Sequence, residues 1–122
     1  MLTVLIVESE RGLREKAESV LGVAGYRTFI AAQADEALAV LRDHPEIDLL
    51  FTDTRIEGPA SGYGLARAAK ELRPDLKVLY AADRPGELLR LDSPIDPEHI
   101  LPKPYEAVDL ERAVSWLLRT PA

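Results

Sequence analysis

The chain has 122 residues, no cysteine, 15 Lys and Arg against 21 Asp and Glu, and a formal charge of −6. One domain with its own core fits that length, and the missing thiols exclude a disulfide framework, a thiolate metal site and thiol catalysis. The acidic balance argues against a surface that tracks nucleic-acid phosphates. No apolar run reaches the roughly 18 to 20 residues that cross a bilayer. The apolar start meets Glu8 without a basic leader, so it is expected to be a buried strand, and the expected location is the cytoplasm.

Thr3–Val7 is a β-branched and aliphatic run without polar alternation, the pattern of a strand covered on both faces. Leu13, Ala17, Val20, Leu21 and Ala24 follow at helical spacing, and Gly25 ends that helix. Tyr26–Ala31 alternates weakly, which suits an edge strand. Ala34, Ala37, Leu38 and Leu41 mark a second amphipathic helix, stopped near Pro45. Asp48–Thr52 is a third strand, and Gly58, Pro59, Gly62 and Gly64 form a loop before a helix carrying Leu65, Ala69 and Leu72. Pro74 closes that helix, and Lys77–Ala82 is a fourth strand. Between Asp83 and Glu98, Pro85, Pro94, Pro97 and Gly86 confine any helix to Glu87–Leu91. His99–Leu101 is a short fifth strand, and Leu110, Ala113, Val114, Leu117 and Leu118 give the clearest helix of the chain.

Strands alternating with helices predict an α/β fold: a doubly wound, five-stranded parallel sheet, whose neighbouring strands need helical crossovers of one hand. Residues 1–122 form one domain on this pattern. Such sheets bind ligands beyond the carboxyl ends of their strands. Waiting there are Glu8, Ser9 and Glu10, then Asp53, Thr54 and Arg55, then Ala82 and Asp83, and last Lys103. If the first and third strands are neighbours, Glu8 and Asp53 face each other, and like charges that close raise one pKa unless a cation intervenes. Mg²⁺ is a cation of the right kind, since it takes one or two carboxylates and keeps water on its other positions. Lys103 can reach the same space as a point charge.

These residues carry a family resemblance. The run Val4-Leu5-Ile6-Val7-Glu8, the run Asp48-Leu49-Leu50-Phe51-Thr52-Asp53, the Gly58–Gly64 loop entering Leu65-Ala66-Arg67, and Pro102-Lys103-Pro104-Tyr105 together resemble the receiver domains of two-component response regulators, over nearly the whole chain. The resemblance implies a flavodoxin-like sheet of order 2-1-3-4-5. It implies a phosphoryl group carried on Asp53, donated by a histidine kinase or phosphotransfer protein. Mg²⁺ would be held by Glu8, Asp53 and the backbone carbonyl of Arg55. A downstream protein would read the state, with no direct nucleic-acid or membrane contact, and the chain would be a phosphoacceptor and not an enzyme. A carboxylate is a weak nucleophile toward an anionic phosphoryl group, so a metal and a lysine are what such a transfer needs.

Several positions depart from the family pattern. Receivers usually carry two adjacent acids after the first strand, and here the pair is Glu8-Ser9. The metal site is therefore expected to be weak, with Ser9 or Glu10 as the remaining candidate for the second ligand. Ser61 stands where an Asp is common and Glu57 where a Pro is common. The fourth strand usually ends in Ser or Thr, but Tyr80-Ala81-Ala82 has no such hydroxyl, and Ile100 replaces the aromatic three residues before the lysine. The phosphate and switch positions are then Lys103, Ala81 and Ile100, of which only the lysine keeps its usual chemistry.

His44 is expected to be a solvated cation at a helix end, and His99 a strand residue with no second His to share a metal. Trp116 sits at the edge of the last helix's apolar stripe. Tyr63 is expected to be a lid over its helix, and Tyr105 a buried brace for Lys103. The alternative to a phosphoacceptor is a phosphorylation-independent pseudo-receiver that serves as a docking module. An aspartyl-nucleophile phosphatase would want an Asp at position 55, which is Arg. A flavin carrier would want a hydroxyl- and glycine-rich loop in place of Glu8-Ser9-Glu10.

Overall fold

Val4, Leu5, Ile6 and Val7 are each at most 1% exposed, so β1 (Thr3–Val7) meets water on neither face. That burial follows from its central place in the sheet of the computed structural model, which describes residues 1–56, 61–88, 90 and 95–119. β2 (Arg27–Ala31), β3 (Leu49–Asp53), β4 (Lys77–Ala82) and β5 (Ile100–Pro102) complete five parallel strands in the order β2-β1-β3-β4-β5. The helices are α1 (Arg11–Val23), α2 (Ala34–Asp43), α3 (Gly62–Leu72), the single turn α4 (Pro85–Leu88) and α5 (Ala107–Arg119), with a 3₁₀ turn at Pro97–His99 before β5. Both the expected architecture and the strand order are present.

Strand alternation sorts the apolar residues into two cores. Val4, Ile6, Leu49, Phe51, Leu79, Ala81 and Leu101 meet α1 and α5 through Ala17, Leu21, Leu110, Val114 and Leu117. Leu5, Val7, Leu50 and Val78 meet α2 and α3 through Ala37, Leu41, Leu65 and Ala69. In register, Val7 pairs with Ala31 on one side and Thr52 on the other, and Asp53 pairs with Ala81. Glu8 and Asp53 therefore leave the sheet at the same level.

The element ends differ from expectation by small, explicable steps. β3 runs through Asp53 and does not include Asp48, because the Asp48 carboxylate accepts the Thr3 N–H at 2.8 Å and closes the lower end of β1. His99 belongs to the 3₁₀ turn before β5, with its Nδ1 2.7 Å from the Val78 carbonyl. α4 begins at Pro85, two residues before the expected Glu87, since proline fits the first helical position where no N–H is needed. Leu88, 1% exposed, anchors it. Glu57, Gly58, Pro59, Leu89, Leu91 and Pro94 lie outside the described residues. Ala24 caps α1 and is exposed, with Gly25 beyond it at φ 98°, a left-handed value that favours glycine. His44 is half-buried, its ring 4.2 Å from that of Phe29 and so not simply solvated. Among the described residues no helix is long and apolar enough to cross a membrane.

Leu50 is fully buried in the central strand, whereas Leu72, expected in the apolar stripe of α3, is 45% exposed at its last turn. Leu50→Ala should lower unfolding stability by about 2 to 5 kcal/mol, and Leu72→Ala by no more than about 0.5 kcal/mol. Urea melts with unchanged slopes check both.

Candidate functional site

Glu8, Asp53 and Lys103 follow the apolar residues Val4 and Ile6, Leu49 and Phe51, and Leu101 at strand spacing, so all three continue the face that packs on α1 and α5. The Lys103 ammonium contacts a carboxylate oxygen of Asp53 and lies 3.3 Å from a Glu8 oxygen. Side-chain exposures of 13% for Lys103, 10% for Glu8 and 6% for Asp53 make this a largely dry ion cluster. The expected convergence of the three side chains is therefore present.

Backbone groups fix each carboxylate. The Arg55 N–H donates to Asp53 Oδ1 at 2.9 Å, which leaves Oδ2 for the lysine. The Glu10 N–H donates to Glu8 Oε2 at 3.0 Å, and Oε1 faces Lys103. The Lys103 backbone is pinned by its own N–H on the Ala82 carbonyl at 2.9 Å, and Thr54 N–H donates to the Ala81 carbonyl at 3.2 Å. Ala81 thus stands buried opposite Asp53, with only a methyl group to offer. Ile100 pairs with Tyr80 one step back from the site and lines a groove along α5 with Val108 and Trp116.

Charge and burial oppose each other here. Burial is the main cause that lifts the Glu8 carboxyl above its ordinary 4.5; the Glu10 N–H lowers it, the Asp53 charge raises it, and Lys103 lowers it. For Lys103, burial alone would depress the ammonium, yet the hydrogen bond and charge of Asp53, joined by Glu8, outweigh it and leave the pKa raised. Burial, then the Glu8 charge, lifts the Tyr105 phenol. Tyr105 is buried as expected, and its ring packs edge-on to Phe51 at 6.0 Å.

Two carboxylates that converge on one cation are part of the donor set that a hard ion such as Mg²⁺ accepts. The candidates for a further ligand are engaged elsewhere. Both Glu10 oxygens cap α1 through the Gly12 and Leu13 N–H groups, at 2.8 and 3.0 Å. The Ser9 hydroxyl donates to the Ala32 carbonyl at 3.2 Å. Among the described residues no three of His, Cys, Asp and Glu form a metal-ligating group. The residues fit a weakly held ion that keeps most of its water.

Two supports of the site are not evident from the sequence. Arg14 on α1 donates to the carbonyl of Glu8 at 2.8 Å and to that of Ser9 at 3.4 Å, which clamps the turn below Glu8. Gly62 opens α3 directly against the strand end: a Cβ there would lie 2.1 Å from the Asp53 carbonyl oxygen and 2.8 Å from the Thr54 Cα. Its N–H donates to the Thr54 carbonyl at 3.1 Å. The cluster of glycines signals a turn, but which of them touches the end of β3 depends on the packing. Ser61 caps α3 through the Gly64 N–H, an ordinary helix-start role. Tyr63 packs on Tyr80 with ring centres 5.8 Å apart.

No protein-family model matches the chain. The response regulator receiver protein CpdR of Brucella abortus is 30% identical over 120 residues, which cover 97% of this chain and 98% of that protein. The sensor kinase CckA of the same organism is 28% identical over 121 residues, which are 95% of this chain and only 12% of that protein. The crystal structure of a response regulator receiver protein from Sinorhizobium medicae has a TM-score of 0.80 at 28% identity, covering 98% of this chain and 95% of that one. The fold is that of a receiver domain. The chain belongs to the response regulator receiver family of two-component systems.

Gly62→Ala should cost about 3 kcal/mol or more, because the neighbour that must give way is backbone and not a flexible side chain. Chemical denaturation measures the loss, and the Arg55 amide resonance should shift with it. Glu8 gives a pH signature. Its carboxyl takes up a proton on folding between its ordinary 4.5 and its higher folded value, so stability falls as the pH rises through that window. Glu8→Gln should remove this downward slope and gain on the wild type as the pH rises above 4.5, read from denaturation midpoints.

Proposed function

We propose that Asp53 accepts a phosphoryl group from a phosphohistidine of a histidine kinase or phosphotransfer protein, and that the modified domain signals by binding a downstream protein. The observation that carries this reading is the buried Asp53 at a strand end, oriented by the Arg55 N–H and paired with Lys103. In the transfer, an Asp53 oxygen forms the P–O bond as the donor's P–N bond breaks, and the imidazole nitrogen leaves with the electron pair. Lys103 neutralises charge on the carboxylate and on the phosphoryl oxygens. Glu8, Asp53 and the Arg55 backbone carbonyl are the groups that would hold Mg²⁺, which when bound supplies further neutralisation of the phosphoryl oxygens. Most of the work of the chain is positioning, since the acceptor is held before the donor arrives.

A second reading, a docking module that takes no phosphate, is favoured by two replacements: Ser9 for an anionic ligand, and Ala81 for a hydroxyl opposite Asp53. One experiment separates the two. Incubation with phosphoramidate and Mg²⁺ should add one phosphoryl group to the wild type, seen by intact mass, and none to Asp53→Asn. No addition to the wild type at any Mg²⁺ concentration would favour the docking module. Ser9→Asp should tighten Mg²⁺ by about 1 to 3 kcal/mol, the weight of a bond to a charged group, and speed the labelling accordingly. Calorimetry on both forms checks the first part.

A further inference from the structure

Lys103 projects from a short turn, Lys103 to Tyr105, that leaves the edge strand β5, and a lysine side chain has many rotamers. Its aim depends on how firmly that turn is held. One anchor is the Lys103 N–H on the Ala82 carbonyl. Another comes from across the molecule. Lys16 on α1, 89 positions earlier in the chain, donates from its ammonium to the Tyr105 carbonyl at 3.3 Å and stands 5.6 Å from the centre of the Tyr105 ring.

That ring is buried and meets Phe51 edge-on, two residues before Asp53 on β3. Tyr105 is therefore held by α1 through its carbonyl and by β3 through its ring, while Lys103 two residues earlier reaches the carboxylate at the end of the same β3. Leu13, Lys16, Asp83, Lys103, Pro104 and Tyr105 line a groove of about 320 Å³, so Lys16 and Lys103 share one cavity wall with the turn between them. A cation on a ring face and a charge-assisted hydrogen bond act on one residue, and both disappear with the ammonium.

We propose that Lys16 is a positioning residue for Lys103: by tying the Tyr105 carbonyl to α1 it fixes the 103–105 turn and keeps the ammonium on Asp53 and Glu8. Its consequence for phosphoryl transfer rests on the reading of Asp53 as the acceptor. Its consequence for Lys103 does not. A partner that drew Lys16 away from Tyr105 would loosen the site from a distance, through a defined contact.

The test compares the wild type with Lys16→Met, which keeps the stem and removes the charge, and Lys16→Arg, which keeps the donor. Each lysine's acylation by an N-hydroxysuccinimide ester is followed by peptide mass spectrometry. Lys103, 13% exposed, should react about three- to fivefold faster in Lys16→Met, with Lys70 and Lys77 unchanged, and return to the wild-type rate in Lys16→Arg. Unchanged Lys103 labelling, or a rise shared by all lysines, would overturn the proposal. Phosphoramidate labelling of Asp53 should slow in Lys16→Met by a similar factor and recover in Lys16→Arg. An unchanged rate in a variant whose Lys103 has become reactive would also overturn it. Failure of the wild type to take phosphate sinks the acceptor reading and leaves the acylation result to decide the tether.

Discussion

One ammonium held between two buried carboxylates is the contact on which the rest of this structure is organised. Lys103 meets Asp53 across 50 positions of sequence and Glu8 across 95. Neither pairing is possible unless β1, β3 and the residues after β5 end at one edge of one sheet. Such a cluster is a poor source of net stability, because each charge surrenders hydration that mutual attraction only partly restores. Removing one member is a different matter, since it strands the others. The arrangement therefore makes sense as a functional constraint that the hydrophobic sheet is able to carry.

The sheet carries it through parity. A single-residue shift in β3 would turn Asp53 to the α2 and α3 side and place Thr52 or Thr54 beside Lys103. What prevents the shift is the burial of Leu49 and Phe51 against α1 and α5 and of Leu50 against α2 and α3, on both faces at once. Asp48, accepting the Thr3 N–H, fixes the lower end of the same register. Core packing, which has no chemistry of its own, thus determines which side chain meets Lys103 at the end of β3.

Much of this is legible in the amino-acid sequence. Doubly buried strands announce themselves as unbroken apolar runs, and an acid or a lysine directly after such a run is placed by the fold itself. The residues that escape are those whose role depends on distant packing. Glu10 has the residue type of a ligand, yet the helix that starts beside it uses both of its oxygens, and competition between capping and metal binding does not show in residue type. Gly62 reads as one loop glycine among several, and only the approach of α3 to the Asp53 carbonyl distinguishes it. Arg14 and Lys16 are not singled out by any sequence pattern, because their partners are backbone carbonyls, which leave no mark on sequence. α4 starts earlier than expected because a proline inside a pattern reads as a barrier, whereas Pro85 is the residue that starts the turn.

The Glu8-Ser9 pair changes the charge balance of the site in a way that bears on when a cation is needed. With Glu8 and Asp53 ionised and Lys103 protonated, the cluster carries one negative charge in excess. A second acid at position 9 would double that excess and draw a divalent ion into the resting site. On the reading of Asp53 as acceptor, the aspartyl phosphate carries about −2 in place of the carboxylate's single negative charge, so modification roughly doubles the excess and with it the demand for a cation. Ser9 in this view does not abolish a metal site. On that reading the demand for metal grows with modification, while in the unmodified protein Lys103 is the cation that bridges the two carboxylates.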